Sequence, residues 1–283
     1  MATLPFPCVA APLSANGVQN AINTLGIDAP TLWAMLHVES LGCGYLASRR
    51  PQILFERHIF SKLTNGVWDG IAPGVSNPQP GGYGPSGDSQ YTRLGQAYGL
   101  NAAADPPDPS VPTATRTAAL QSASWGLGQV LGTNATSVGF ASIQDMVTSM
   151  TASEDGQLQA VVGFIQANNL QNALQQQDWT TYAEKYNGPG YAKNQYDKRL
   201  AQAYALFQDA TKIPDLTVRV GQLLLLLLGF NPSGVDGAIG PNTLTALHNF
   251  QSQQQLPLTT GIDANAVAAL TAALPPAPNL SLT

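Results

Sequence analysis

Between Asp28 and Phe60 the chain reads DAPTLWAMLHVESLGCGYLASRRPQILFERHIF. The first part has the marks of a helix that ends on an acid. Asp28 is placed to cap it, Pro30 falls in the first turn where its missing N–H costs little, and Gly42 and Gly44 stop it. Leu32, Met35 and Leu36 recur at helical spacing and are expected to face a core. Glu39 then lies in the last turn, at the negative end of the helix macrodipole, where a cation is the favoured neighbour. That placement disfavours ionisation, and burial beside Trp33 or Tyr45 would disfavour it further. A carboxyl kept protonated near neutral pH is suited to act as a general acid. Seventeen residues on, a second carboxylate, Glu56, follows the short apolar run Ile53-Leu54-Phe55. The alternative is structural: a solvated Glu39, and a Glu56 paired with Arg49, Arg50 or Arg57. Only 10% of the chain is Asp, Glu, Lys or Arg, so a conspicuous acid is less ordinary here than in most proteins.

With 283 residues there is room for two domains, and a hydrophobic content of 44% is ordinary for a soluble globular protein. The formal net charge of −5 argues against a general nucleic-acid binder, and no nucleic-acid partner is expected. Cys8 and Cys43 are the two cysteines and lie in no C-x-x-C pair, so two free thiols in a reducing compartment are expected. The N-terminal MATLPFPCVAAPLSANG has no positive segment and is broken by Pro5, Pro7 and Pro12, which makes it a poor signal peptide. The leucine run Leu223–Leu228 is far too short to span a bilayer. Synthesis in the cytoplasm without membrane insertion follows as the expectation.

Residues 17–41 suggest one or two helices. Residues 70–115 are rich in Gly, Pro, Ser and Asp and read as loops around a short helix near Tyr91–Tyr98. Loops this long serve as cleft walls or lids, or are surface insertions. From Arg116 to Gln208 the pattern is mainly helical, as in Ile143-Met146-Val147-Met150. Lys212-Ile213-Pro214-Asp215 breaks it. Beyond lies a compact segment with one helix over Thr217–Leu228, a second entered at Pro241 with Leu244, Leu247 and Phe250 on one face, and a third over Ala264–Ala273. The expected division is a first domain at 1–208, a linker at 209–214, a three-helix bundle at 215–274 and a disordered tail at 275–283. The fold class is mainly α.

The bundle carries Val218 with Gln222, Leu228-Gly229-Phe230, Asp236-Gly237, Gly240-Pro241 with Thr243, Phe250-Gln251, and Leu258 with Gly261 and Asp263. In these it resembles the three-helix peptidoglycan-binding domain. Most of those residues are turn glycines or core positions. The resemblance leaves Asp236, Asn242 and Thr243 as the candidates for wall contact.

The N-terminal segment carries five separated motifs: His37-Val38-Glu39-Ser40 with Gly42 and Gly44, Ile53-Leu54-Phe55-Glu56-Arg57-His58, Tyr91-Thr92-Arg93-Leu94, Ser122-Ala123-Ser124-Trp125-Gly126-Leu127-Gly128-Gln129, and Tyr186-Asn187-Gly188-Pro189-Gly190-Tyr191. Their order resembles the N-acetylmuramidase domain of phage endolysins. The Pro-rich segment 101–115 is longer than that pattern. The resemblance implies a lysozyme-like catalytic domain with a glycan groove, followed by the small binding bundle. It implies Glu39 as the acid and Glu56 as a second carboxylate that steers water or stabilises positive charge. Gln129, Tyr186, Asn187 and Tyr191 would line sugar subsites with Ser40, and Trp125 would either stack on a sugar or fill the core beneath the loop. It further implies peptidoglycan as partner, a monomer without cofactor or metal, and action in the periplasm after release through the inner membrane.

The bundle would hold the protein on an insoluble polymer and raise the local concentration of the catalytic domain. On that view, removing 209–283 lowers activity on walls and spares short soluble fragments. Two other enzymes compete. A metal-dependent amidase needs clustered ligands, but the histidines are only His37, His58 and His248, and there is no H-E-x-x-H. A cysteine peptidase would use Cys43 with His37 or His58. Closer rivals share the fold: a lytic transglycosylase acting on the same bond, or a wall-binding protein without activity.

Overall fold

A computed structural model describes residues 3–40, 42–100, 114–188 and 190–282, with the Asn187 side chain outside the description. The Pro-rich stretch 101–113, an expected cleft wall, lies outside the described residues. The elements run β1 (Thr3–Pro7), α1 (Ala15–Leu25), α2 (Ala29–Glu39), β2 (Ile53–Phe55), α3 (Arg57–Leu63), α4 (Asp88–Gly99), α5 (Ala114–Gln121), β3 (Ala123–Trp125) and β4 (Val130–Leu131). They continue as α6 (Ile143–Ala152), α7 (Glu154–Ala167), α8 (Gln171–Gln175), α9 (Trp179–Asn187) and α10 (Tyr196–Phe207). The C-terminal bundle is α11 (Leu216–Leu227), α12 (Pro241–Gln253) and α13 (Ala264–Ala273), and β5 (Asn279–Ser281) ends the chain's regular structure.

Helix α2 is the centre of the N-terminal body. The Asp28 side chain accepts from Thr31 N–H and caps it, and Pro30 sits in its first turn. Thr31 to Leu36 and Val38 are all buried, and only His37 and the last turn reach the surface. A helix buried this completely must be apolar nearly all round, which is why its sequence shows no polar stripe. It packs on α10, where His37 meets the edge of Phe207 at 5.7 Å. Beside it, β2, β3 and β4 form a small antiparallel sheet in that order, with Ile53 opposite Trp125 and Phe55 opposite Ala123. The sheet sets Gln52 against the Gly126–Gln129 turn and leaves Glu56 at its other end, where the Glu56 N–H donates to Ser122 O.

In the bundle, Leu224, Leu225, Leu247, Phe250 and Leu270 make a separate core. Gln222 is the hub of its turn. Its Oε1 accepts from Asp236 and Gly237 N–H, and its Nε2 reaches Asp236 Oδ1, the Ala238 carbonyl and Thr243 Oγ1. Gly237 has φ +76°, and a Cβ there would lie 2.7 Å from Pro214 Cβ, so only glycine fits.

The leucine run has two jobs. One face of α11 fills the bundle core. The other, Leu223 and Leu227, joins Ala10, Cys43, Tyr45 and Val235 in a shared apolar cluster between the two halves of the molecule. Arg219, one turn before Leu223, continues this second face.

The expectation of a disordered tail at 275–283 is corrected. Strand β5 pairs antiparallel with β1, placing Leu4 opposite Leu280 and Thr3 opposite Ser281. Leu280 and Leu282 are fully buried in the main core. Arg49 donates to Pro275 O, Arg50 donates to Ser281 O, and Cys8 N–H donates to Pro278 O. The alternating Leu280 and Leu282 are a strand signal that the preceding prolines obscure. Pro5 and Pro7 are tolerated in β1 because a two-stranded ribbon leaves one edge of each strand unpaired.

Candidate active site

Glu39 is the last residue of α2 and is half-buried. The helix stops there because Ser40 turns extended; the Ser40 hydroxyl donates to Leu36 O at 2.5 Å, and Gly42 follows at φ +92°. Tyr182 and Tyr186, both from α9, lie in the field of the Glu39 carboxylate. Burial holds both phenols well above their ordinary value, with repulsion by Glu39 second for Tyr186 and, for Tyr182, repulsion by Tyr186 and then by Glu39. The two rings stack at 5.2 Å, and Phe164 meets Tyr186 edge-on at the same distance.

Tyr186 links the acid to the Ser-Trp-Gly-Leu-Gly-Gln turn, donating its hydroxyl to Gly128 O at 3.2 Å. Gln129 has φ +48°, a left-handed conformation that costs energy in any residue but glycine and that collects at functional sites. Its amide donates to Gly126 O at 2.8 Å and holds the turn closed. Tyr186, Gln129 and Asn134 line a cleft of about 190 Å³. Tyr186 thus stands between Glu39, whose charge it feels, and the turn that carries Gln129.

Trp125 is not part of that cleft. It is fully buried, its indole N–H donates to Leu120 O, and neither ring face is open to a sugar. The core role is the one it plays. Ser40 is tied into the helix end, and Tyr191 lies partly buried in the turn after α9.

Glu56 occupies its own niche at the start of α3. Its Oε2 lies 3.3 Å from His58 Nδ1, and Tyr83 donates a hydrogen bond to it. Burial pushes its carboxyl above the ordinary range, against the opposing pull of His58 and Tyr83. Tyr83 is delivered by the glycine-rich loop that the sequence left unassigned between lid and insertion. Gln90, fully buried, donates to Tyr83 O and Pro85 O and accepts from Phe55 N–H, so it staples that loop to β2. Of the three arginines proposed as Glu56 partners, Arg49 works on Val9 O and Pro275 O and Arg50 on Asp88, while the Arg57 guanidinium lies against Gly82. Glu56 thus sits with His58 and Tyr83, whereas Tyr182 and Tyr186 feel Glu39.

A carboxyl whose folded pKa exceeds its unfolded value contributes full stability below the unfolded value, about 4.3, and loses it as pH rises through the folded one. Glu56→Gln is therefore expected to raise Tm at pH 7, with the gain vanishing toward pH 4. Thermal melts of both proteins across pH 4–8 measure this, and a gain that persists at pH 4 would contradict it.

Sequence reasoning missed three residues. Gln157 on α7 bridges both walls of the site: its Oε1 accepts from Leu127 N–H, and its Nε2 donates to Met150 O and approaches Gly44 O at 3.4 Å. That side chain explains two motif glycines, because a Cβ at Gly44 would lie 1.6 Å from Gln157 Oε1 and one at Gly126 2.7 Å from its Cδ. Glu154, fully buried, accepts from Leu13 and Gly44 N–H and from Arg219. Burial alone would raise its carboxyl; Arg219 and the two backbone donors outweigh that and hold it below the ordinary range. Arg219 within the apolar Val218-Arg219-Val220 of α11 was the one available signal.

In the bundle, Asp236, Asn242 and Thr243 all border a groove of about 200 Å³. Thr243 is buried and serves Gln222, so of the three only Asn242 and Asp236 are exposed. A second pocket, about 370 Å³, lies between the two halves and runs from His37 and Ser40 to Lys212 and Asp236. A larger groove of about 690 Å³ between α1 and α7 is remote from these groups, and its one acid, Asp155, is occupied by Ser14. Cys43 and Cys8 are free and buried; burial raises both thiols, Cys8 to about 11, which disfavours a thiolate nucleophile. Among the described residues no cluster of three His, Cys, Asp or Glu is placed to hold a metal, and no helix is long and apolar enough to cross a membrane.

A buried helix ending on an acid, beside a small sheet and a tyrosine-lined cleft, defines a glycoside hydrolase of the lysozyme type. The N-acetylmuramidase family model matches residues 28–208, and a putative peptidoglycan binding domain matches 214–270. The crystal structure of Burkholderia AP3 phage endolysin is 31% identical, with a TM-score of 0.60, over 70% of this chain and 72% of that one. Among curated proteins none matches. The chain belongs to the N-acetylmuramidase family, and it is a peptidoglycan hydrolase.

Proposed function

We propose that the protein is a phage endolysin that cleaves the β-1,4 bond between N-acetylmuramic acid and N-acetylglucosamine, with Glu39 as general acid. The observation that carries this is the position of Glu39, half-buried at the C-terminal end of a buried helix and facing two neutral tyrosines beside the Gln129 turn. Glu39 would give its proton to the leaving oxygen as an oxocarbenium-like state develops. Tyr186, Gln129, Asn187 and Tyr191 would hold the sugars. Glu56 would direct water or stabilise the positive charge from the far wall. Asp236 and Asn242 would hold the wall through the bundle. The protein would act as a monomer, made in the host cytoplasm and reaching peptidoglycan after release through the inner membrane.

One observation favours a second reading. Glu56 is engaged by His58 and Tyr83 at the start of α3. A site run by Glu39 alone could close an anhydro ring instead of adding water, as a lytic transglycosylase does. Mass spectrometry of soluble products from purified peptidoglycan separates these. Reducing N-acetylmuramic acid ends support hydrolysis, anhydro ends support the second reading, and freed stem peptides would overturn both.

A further inference from the structure

The Glu154–Arg219 pair crosses from the catalytic body to the wall-binding bundle, and it does so at the turn that leaves the catalytic helix. Arg219 Nη1 donates to Glu154 Oε2 at 2.5 Å, and Nη2 donates to Glu154 Oε1 and to Gly42 O, both at 3.0 Å. Each carboxylate oxygen also takes one backbone N–H, Oε2 from Leu13 and Oε1 from Gly44, both at 2.9 Å. Arg219 is 3% exposed and Glu154 0%. The pair is thus dry and bidentate, and its carboxylate is fully satisfied, the condition under which a buried ion pair holds geometry.

Apart from Leu13 N–H, what the pair grips belongs to one short turn. Gly42 is three residues after Glu39. Cys43 O accepts from Gln52 Nε2 at 2.9 Å, and Gly44 O faces Gln157 Nε2. Val235 of the bundle closes over the same turn, its backbone 3.8 Å from where a Gly42 Cβ would lie. The catalytic body fixes Cys43 and Gly44. Gly42, the nearest of the three to the acid, gives its N–H to Ser40 Oγ at 3.3 Å, and its carbonyl is held by an arginine from the other domain.

We propose that Arg219 is a positioning residue: the wall-binding bundle, through Arg219 on Glu154 and Gly42, sets the turn that orients Glu39. This rests on Glu39 being the acid. The bundle then serves chemistry as well as attachment, and losing it slows cleavage even of substrate that never needed to be anchored.

The test uses the full chain and soluble, peptide-free glycan strands as substrate. Arg219→Lys keeps a cation beside Glu154, but a single ammonium cannot span both carboxylate oxygens and Gly42 O. Expected are a kcat loss between about tenfold and 10²-fold, KM within about twofold, and unchanged co-sedimentation with sacculi. A merely structural role would leave kcat per folded molecule intact, and a folded Arg219→Lys with full kcat overturns the proposal. If that variant does not fold, wild-type hydrogen exchange decides: Gly44 N–H should exchange as slowly as the core of α2, and rapid exchange at Gly44 overturns the proposal equally. Glu39→Gln run alongside keeps the two questions apart, because activity retained there removes the acid assignment, whereas an inactive Glu39→Gln beside a fully active Arg219→Lys removes only the positioning role.

Discussion

Glu39→Gln is expected to lower turnover on purified peptidoglycan by about 10²–10⁴-fold, the range a positioned general acid contributes. The substitution keeps the shape and the hydrogen-bonding capacity of the side chain and removes only the transferable proton. Binding to sacculi should be unchanged, and Tm should not fall. Activity assays on sacculi with a pelleting control measure both. More than about a tenth of wild-type turnover in the mutant would remove Glu39 from the acid role. Glu56→Gln sets the scale for the second carboxylate. A loss of the same order would make Glu56 a participant in the chemistry. A small loss accompanied by the higher Tm predicted above would make it a charge stabiliser held at a cost to folding, the exchange of stability for activity that functional sites often show.

The second large effect is expected from ending the chain at Leu274. Removing nine residues deletes β5, takes Leu280 and Leu282 out of the main core, and strips Arg49 and Arg50 of backbone acceptors. Two fully buried leucines are worth about 3–6 kcal/mol together. That is a large share of the 5–15 kcal/mol by which domains are stable. At about 2–4 °C per kcal/mol, Tm should fall by about 10 °C or more. Differential scanning calorimetry of the truncated protein measures it, and an unchanged Tm would mean that the β1–β5 pairing contributes nothing. Removing all of 209–283 is harsher. It also leaves Glu154 charged, buried and without Arg219, at a cost of about 3–5 kcal/mol. The sequence-based expectation that such a deletion spares soluble substrates is replaced by loss of activity on both.

What could be read from residues alone was local and periodic. Asp28, Pro30 and the two glycines marked α2 to its ends, and Pro241 and Ala264 marked the starts of α12 and α13. Glu39 was legible because helix polarity and chain order suffice to place it. Trp125 was ambiguous because an aromatic beside glycines looks the same whether it faces a sugar or the core, and only packing decides. Glu154 and Gln157 were invisible, since their roles depend on contacts with Leu13, Gly44 and Leu127, more than a hundred residues away in two of those cases. The tail was misread because prolines dominated its composition, while the alternation that matters was carried by two leucines.

Strand β5 lies beyond the bundle yet pairs with β1 of the catalytic body. The polypeptide therefore leaves the enzyme, builds the anchor and returns. Such an anchor cannot be exchanged as an independent cassette by recombination at the 209–214 junction alone. A working chimera has to carry two crossover points, one before α11 and one before β5, and the incoming helix must bring its own arginine to meet Glu154.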